Sequence, residues 1–159
     1  MSELEIGMKA PDFDLPTDGN GQLKLSSLKG EKVVLYFYPK DDTPGCTTEA
    51  CNFRDNLPDF EKLNARIIGI SKDSPTKHDK FKDKHDLPFT LVSDEKGSVC
   101  EAYGTWVEKS MYGRKYMGID RATFLIDENG NILQVWRKVK VPGHVDEILK
   151  TITEHKKAA

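Results

Sequence analysis

Hydrophobic residues gather along this chain in runs that carry either strand or helix signals. The strongest strand run is Lys32 to Tyr38 (Lys-Val-Val-Leu-Tyr-Phe-Tyr), which is β-branched and aromatic and is stopped by Pro39. It is apolar at too many successive positions to be half exposed, so it predicts a central strand. Arg66 to Ser71, Thr90 to Ser93, Ala122 to Ile126 and Ile132 to Arg137 predict further strands. Asp127-Glu128-Asn129-Gly130 between the last two reads as a turn, which makes that pair antiparallel. Helix signals fall between the strands. They cover Cys46 to Asn64, interrupted or kinked by Pro58, and Pro75 to His85, with Ser74 as N-cap and Pro75 in the first turn. Two more cover about Gly97 to Tyr103 and about His144 to His155.

Strands alternating with helices, followed by a hairpin and a closing helix, describe an α/β protein. Its central sheet is mixed and is flanked by helices on both faces. This is the layout of a thioredoxin-like fold. No repeat, low-complexity stretch or Pro/Gly/Ser-rich linker divides the sequence, and 159 residues suffice to bury one core without a disulfide or a structural metal. The expectation is a single domain over residues 1–159.

Composition narrows the function classes. The chain is 37% hydrophobic and 31% charged, and no apolar run approaches the roughly 20 residues that cross a bilayer. The net charge is -2 with both signs interspersed, which argues against a nucleic-acid partner. Met1-Ser2-Glu3-Leu4-Glu5-Ile6 has neither the charged-then-apolar start of a signal peptide nor the character of a transit peptide. A cytoplasmic location and no membrane contact are therefore expected. The three cysteines, an odd number, read as reactive or buried thiols and not as a structural disulfide framework.

The segment from Tyr38 to Cys51 (Tyr-Pro-Lys-Asp-Asp-Thr-Pro-Gly-Cys-Thr-Thr-Glu-Ala-Cys) follows the central strand and opens a helix. A thiol reacts as its thiolate, and a helix N-terminus, with unpaired N–H groups and the positive end of its dipole, favours that anion. Cys46 stands there. Thr43 suits the cap position and Pro44 the first turn. Asp41 and Asp42 act against a nearby anion, so they must face solvent or be offset by a cation, for which Lys40, Arg54 and Arg121 are the candidates.

Pro39, Thr43 and Cys46 match the Pro-three-residues-Thr-two-residues-Cys signature of the peroxiredoxins. The run Thr-Pro-Gly-Cys-Thr with Cys51 resembles the bacterioferritin comigratory protein, or peroxiredoxin Q, subfamily. The likeness extends over nearly the whole chain, through Ala10-Pro11-Asp12-Phe13, Gly69-Ile70-Ser71, Phe89 to Asp94 and Arg121 to Asp127. It implies a thiol peroxidase reducing hydrogen peroxide and organic hydroperoxides. Cys46 would be the peroxidatic nucleophile, Thr43 would hydrogen-bond the peroxide, and Pro39 would screen the thiolate from water. Arg121 would stabilise the thiolate and the charge moving onto the leaving oxygen. Attack leaves a sulfenic acid, which Cys51 would resolve as an intramolecular disulfide.

Five residues along an ideal helix separate two Cα atoms by roughly 8.6 Å. A disulfide spans only about 4.4–6.8 Å, so the first turns must unwind. The implied reductant is thioredoxin or a glutaredoxin-like protein. The chemistry needs no cofactor or metal, and members of the subfamily are often monomeric.

Two other functions fit the residues less well. A thiol–disulfide oxidoreductase usually separates its cysteines by two residues, whereas four intervene here. A redox-sensing or metal-binding module would want closer, repeated ligand spacings. Cys100, in an ordinary helical stretch, reads as a buried structural thiol. Glu49 and Arg54 stand equally as surface charges or site residues, and Trp106, Tyr112, Tyr116 and Met117 are candidates for a rim. His78, His85, His144 and His155 are scattered and receive no catalytic role.

Overall fold

The computed structural model describes residues 4–158. A small antiparallel hairpin, β1 (Asp14–Pro16) with β2 (Gln22–Lys24), precedes β3 (Lys32–Phe37). There follow α1 (Pro44–Asp55), α2 (Leu57–Lys62), β4 (Ala65–Ser71), α3 (Pro75–His85), β5 (Thr90–Ser93) and α4 (Ser98–Ala102). A second hairpin, β6 (Trp106–Met111) with β7 (Arg114–Ile119), leads into β8 (Ala122–Ile126), β9 (Ile132–Trp136) and α5 (His144–Ala158).

Among the described residues the central sheet has the order β5-β4-β3-β8-β9. β3 pairs in parallel with β4 and antiparallel with β8, so the sheet is mixed, as the thioredoxin-like reading requires. The alternation along β3 divides the core in two. Val33, Leu35 and Phe37 face one cluster, which holds Val99, Cys100 and the N-terminal Ala10 and Phe13. Val34, Tyr36 and Tyr38 face the other, which holds Cys46, Ala50 and Phe53 of α1, Phe60 of α2, Phe81 of α3 and Ile148 of α5. Successive strand residues point to opposite faces, so Cys46 and Cys100 lie on opposite sides of the sheet. No helix among the described residues is long and apolar enough to cross a membrane.

The strand runs and α3 sit where the hydrophobic pattern puts them, and the Ser74 hydroxyl accepts from the Lys77 amide as a cap. The expected helix from Cys46 to Asn64 divides earlier than Pro58, at Asn56. Pro58 falls in the first turn of α2, where a missing N–H breaks no hydrogen bond. The β6–β7 hairpin has no counterpart in the sequence expectation. Its turn places Tyr112 (φ 53) and Gly113 (φ 79) in the left-handed region, and a tyrosine there hides the Asn-Gly signal such turns normally show.

Candidate active site

β3 continues past Phe37 through the Tyr38 amide, which donates to the Ile70 carbonyl at 3.2 Å, and the chain then turns into α1. Thr43 adopts extended backbone angles before Pro44, and the first helical bond runs from the Thr47 amide to the Thr43 carbonyl at 2.8 Å. Cys46 therefore lies in the first turn, where amides lack intrahelical partners. Its side chain is 1% exposed.

Arg121, just before β8, reaches across 75 positions of sequence to this turn. Its Nη2 donates to Cys46 Sγ at 3.4 Å and its Nη1 to Glu49 Oε1 at 2.7 Å. Gly45 makes that approach possible, because a Cβ there would stand 3.2 Å from Arg121 Nη2. Glu49, three residues after Cys46 and on the same helix face, is fully buried, and its Oε2 has no hydrogen-bond partner among the described residues. Burial pushes its carboxyl up from 4.5 to about 7, against the pull of the Arg121 guanidinium. Arg121 is itself opposed by burial, but the Glu49 carboxylate and Cys46 hold it above its ordinary value. His144, whose Nε2 lies 2.7 Å from the Thr123 hydroxyl, is lowered to about 4, first by burial and then by Arg121. A half-buried guanidinium thus faces a thiol and a carboxyl together.

The other expected residues fall as follows. The Thr43 hydroxyl does not cap the helix; it donates to the Lys40 carbonyl at 2.9 Å, which leaves its lone pairs free to accept. Pro39 is exposed at the end of β3. Cys51 is half-buried within the same continuous α1, and both it and Cys46 are free thiols. Cys100 is buried on the far side of the sheet, and burial and the facing Asp94 carboxylate push its thiol well up.

Among the described residues neither Lys40 nor Arg54 forms an ion pair with the two aspartates. Arg54 binds Asp55 and the His85 carbonyl, Asp42 is held at the surface by Lys84 and His85, and Asp41 is buried against His78. Trp106 packs toward the opposite core under the Lys72 ammonium, and Tyr112 is 99% exposed at the hairpin tip. Tyr116 and Met117 lie on the exposed β7.

Glu49, Asp41 and His78 are the residues at or behind this site that the sequence reading did not select. Only Glu49 had a usable signal, its i, i+3 spacing from Cys46.

A central mixed sheet, a buried thiol in a helix's first turn and a guanidinium on its sulfur define a thioredoxin-like thiol enzyme. The family model described as AhpC/TSA family matches residues 6–135, and the chain belongs to that family. Peroxiredoxin Bcp of Bacillus subtilis is 54% identical over 151 residues, covering 95% of this chain and 96% of the relative. Among solved structures, Xanthomonas campestris Peroxiredoxin Q superposes with a TM-score of 0.88 at 45% identity, covering 96% of each chain. A structure of Xanthomonas campestris Bacterioferritin Comigratory Protein, studied for alkyl peroxide reduction activity, gives 0.89 at 42% identity over 95% of this chain and 99% of that one. The particular relatives are thus peroxiredoxins of the Bcp and peroxiredoxin Q kind, and the activity is that of a thiol-dependent peroxidase.

Proposed function

We propose that Cys46 is the peroxidatic thiolate and that Cys51 of the same chain resolves its oxidised form. The observation that carries this reading is the Arg121 guanidinium 3.4 Å from a buried sulfur in a helix's first turn. The thiolate attacks one peroxide oxygen and the O–O bond breaks. The sulfur becomes a sulfenic acid that keeps the attacked oxygen and its proton, and the other oxygen leaves as hydroxide or alkoxide and takes a proton from solvent to give water or an alcohol. Arg121 stabilises both the anion and the charge developing on the leaving oxygen. Thr43, whose own proton is engaged by Lys40, accepts the peroxide O–H and aligns the substrate. Pro39 sets an apolar ring, without an N–H, at the entry to the loop and screens the sulfur on that side.

Cys51 then displaces water from the sulfenic acid to form the disulfide. An intact helix holds the two residues roughly 8.6 Å apart at Cα, beyond disulfide reach, so α1 unwinds over residues 46–51 for this step. A dithiol protein, thioredoxin or a glutaredoxin-like one, returns both cysteines to thiols by exchange. Hydrogen peroxide and organic hydroperoxides are both substrates. A resolver within the chain removes the chemical need for a second subunit, so the working unit is one chain acting as a single cytoplasmic domain.

The test is peroxide turnover coupled to thioredoxin, thioredoxin reductase and NADPH. Cys46→Ser should abolish turnover, whereas Cys51→Ser should still consume one equivalent of peroxide and accumulate sulfenic acid or mixed disulfide. Normal cycling by Cys51→Ser with thioredoxin would remove Cys51 from the mechanism. Turnover by Cys46→Ser would remove the whole reading.

A further inference from the structure

We propose that the buried Asp41–His78 pair is a charge-compensated anchor for the reactive loop, the imidazolium of His78 cancelling a carboxylate that would otherwise oppose the Cys46 anion. The inference rests on the reading of Cys46 as the reacting sulfur. Asp41 lies five residues before Cys46 in the loop that enters α1, and it is 9% exposed. Its Oδ2 is 2.6 Å from Nδ1 of His78, a fully buried residue of α3. The other ring nitrogen, Nε2, is 2.9 Å from the Val92 carbonyl of β5, which can only accept and so fixes a proton there. Nδ1 then faces a carboxylate whose second oxygen already accepts from the Tyr38 hydroxyl. Both ring nitrogens thus meet acceptors, the arrangement that suits imidazolium.

The remaining charges around the ring act the same way. Asp73 accepts the Asp41 amide at 2.7 Å and the Ser71 hydroxyl at 2.8 Å, and the Lys77 ammonium, 4.0 Å from it, is largely exposed. Burial alone would lower the His78 titration, but the hydrogen bond and charge of Asp41, with the Val92 carbonyl and the Asp73 charge, together hold His78 above the ordinary imidazole value.

Asp41 is joined to the site through the chain, and it shares a neighbour with Cys46 in the Tyr36 ring. The Tyr36 hydroxyl, buried on the same sheet face as Cys46, is pushed up by its burial and then by Glu49, Cys46 and Asp41 together. The Tyr36 and Tyr38 rings stack at 5.4 Å between centroids. A low-polarity interior screens charges poorly, so an uncompensated Asp41 carboxylate would be felt at the sulfur. His78 therefore acts as a positioning residue. It ties the loop to α3 and β5, and it renders the loop's buried acid harmless to the thiolate.

The experiment compares wild type, His78→Gln and the Asp41→Asn/His78→Gln double variant. Two quantities are read at pH 7: the thiolate fraction of Cys46, from ultraviolet absorbance, and the rate of its stoichiometric oxidation by hydrogen peroxide. H78Q keeps polar atoms but leaves the carboxylate uncompensated, so both should fall about threefold or more; the double variant removes both charges and should recover to within about twofold. Equal losses in the single and double variants would reduce the pair to a structural prop, and an unchanged H78Q would sever it from the site. Either result overturns the proposal while leaving the Cys46 reading intact. A wild-type Cys46 that neither ionises nor reacts would instead overturn the functional reading itself.

Should H78Q fail to fold, the ring nitrogen shifts of His78 are titrated in wild type and in Cys46→Ser. Coupling between sites is reciprocal, so imidazolium should persist to higher pH when the thiolate is present. Coincident titrations would overturn the proposal.

Discussion

Replacing Glu49 with glutamine removes a buried acid whose titration is coupled to the folding of α1. The Glu49 carboxyl titrates near 7 in the folded protein against 4.5 for a free side chain, and burial is the largest cause. A carboxyl whose value is raised on folding leaves full stability below its unfolded value. It costs stability progressively as pH rises toward the folded value, because the unfolded chain ionises first. Integrating between about pH 5 and about pH 8 gives a loss of about 2.5 kcal/mol attributable to Glu49.

The assay is urea unfolding of the reduced protein at these two pH values for wild type and Glu49→Gln. Titrating groups that share no partner with Glu49 are common to both proteins and cancel in the double difference. The variant should gain about 2.5 kcal/mol on wild type between the two conditions. A difference constant to within about 0.5 kcal/mol would show that Glu49 is ionised throughout and that Arg121 outweighs burial. The outcome also bears on catalysis. Glu49 lies between Cys46 and Cys51, so unwinding this segment near neutral pH should release its proton and become easier as pH rises.

Four further outcomes follow from the same geometry. Gly45→Ala would place a Cβ 3.2 Å from Arg121 Nη2 and should slow Cys46 oxidation by about tenfold, the cost of weakening one charge-assisted contact, read by stopped-flow with hydrogen peroxide. Thr43→Val should lower the same rate by a similar factor of about ten, with the urea midpoint little changed; an unaltered rate would confine Thr43 to holding the Lys40 carbonyl. Amide exchange over residues 47–51 should be protected in the reduced protein and fast in the disulfide form, and equal protection would refute unwinding. Cys100→Ala, on the far side of the sheet, should leave peroxidase turnover unchanged while costing about 1 kcal/mol of stability by the loss of a buried group.

How much could be read from the chain differs from one element to the next. β3, β4, β5, β8, β9 and α3 arise from runs whose own residues dictate backbone shape, through β-branching, apolar continuity, a proline and a serine cap. The start of α1 and the place of Cys46 in it are local in the same way, since Pro44 and Cys46 are neighbours in the chain. The β6–β7 hairpin escaped because its strands are largely exposed and its turn uses Tyr112 where small polar residues usually stand.

The chemistry around the sulfur is of the other kind. Arg121 meets Cys46 only because β8 pairs antiparallel with β3, which returns the chain to the end of the sheet where α1 begins. Glu49 looks like any helical glutamate until the fold takes it out of water and sets Arg121 against it. Asp41 and His78, 37 positions apart, become an ion pair only when α3 crosses beside the loop. Short-range sterics and capping operate between neighbours and can be read along the chain. Desolvation and pairing of charge depend on which distant surfaces close together, and only the folded sheet decides that.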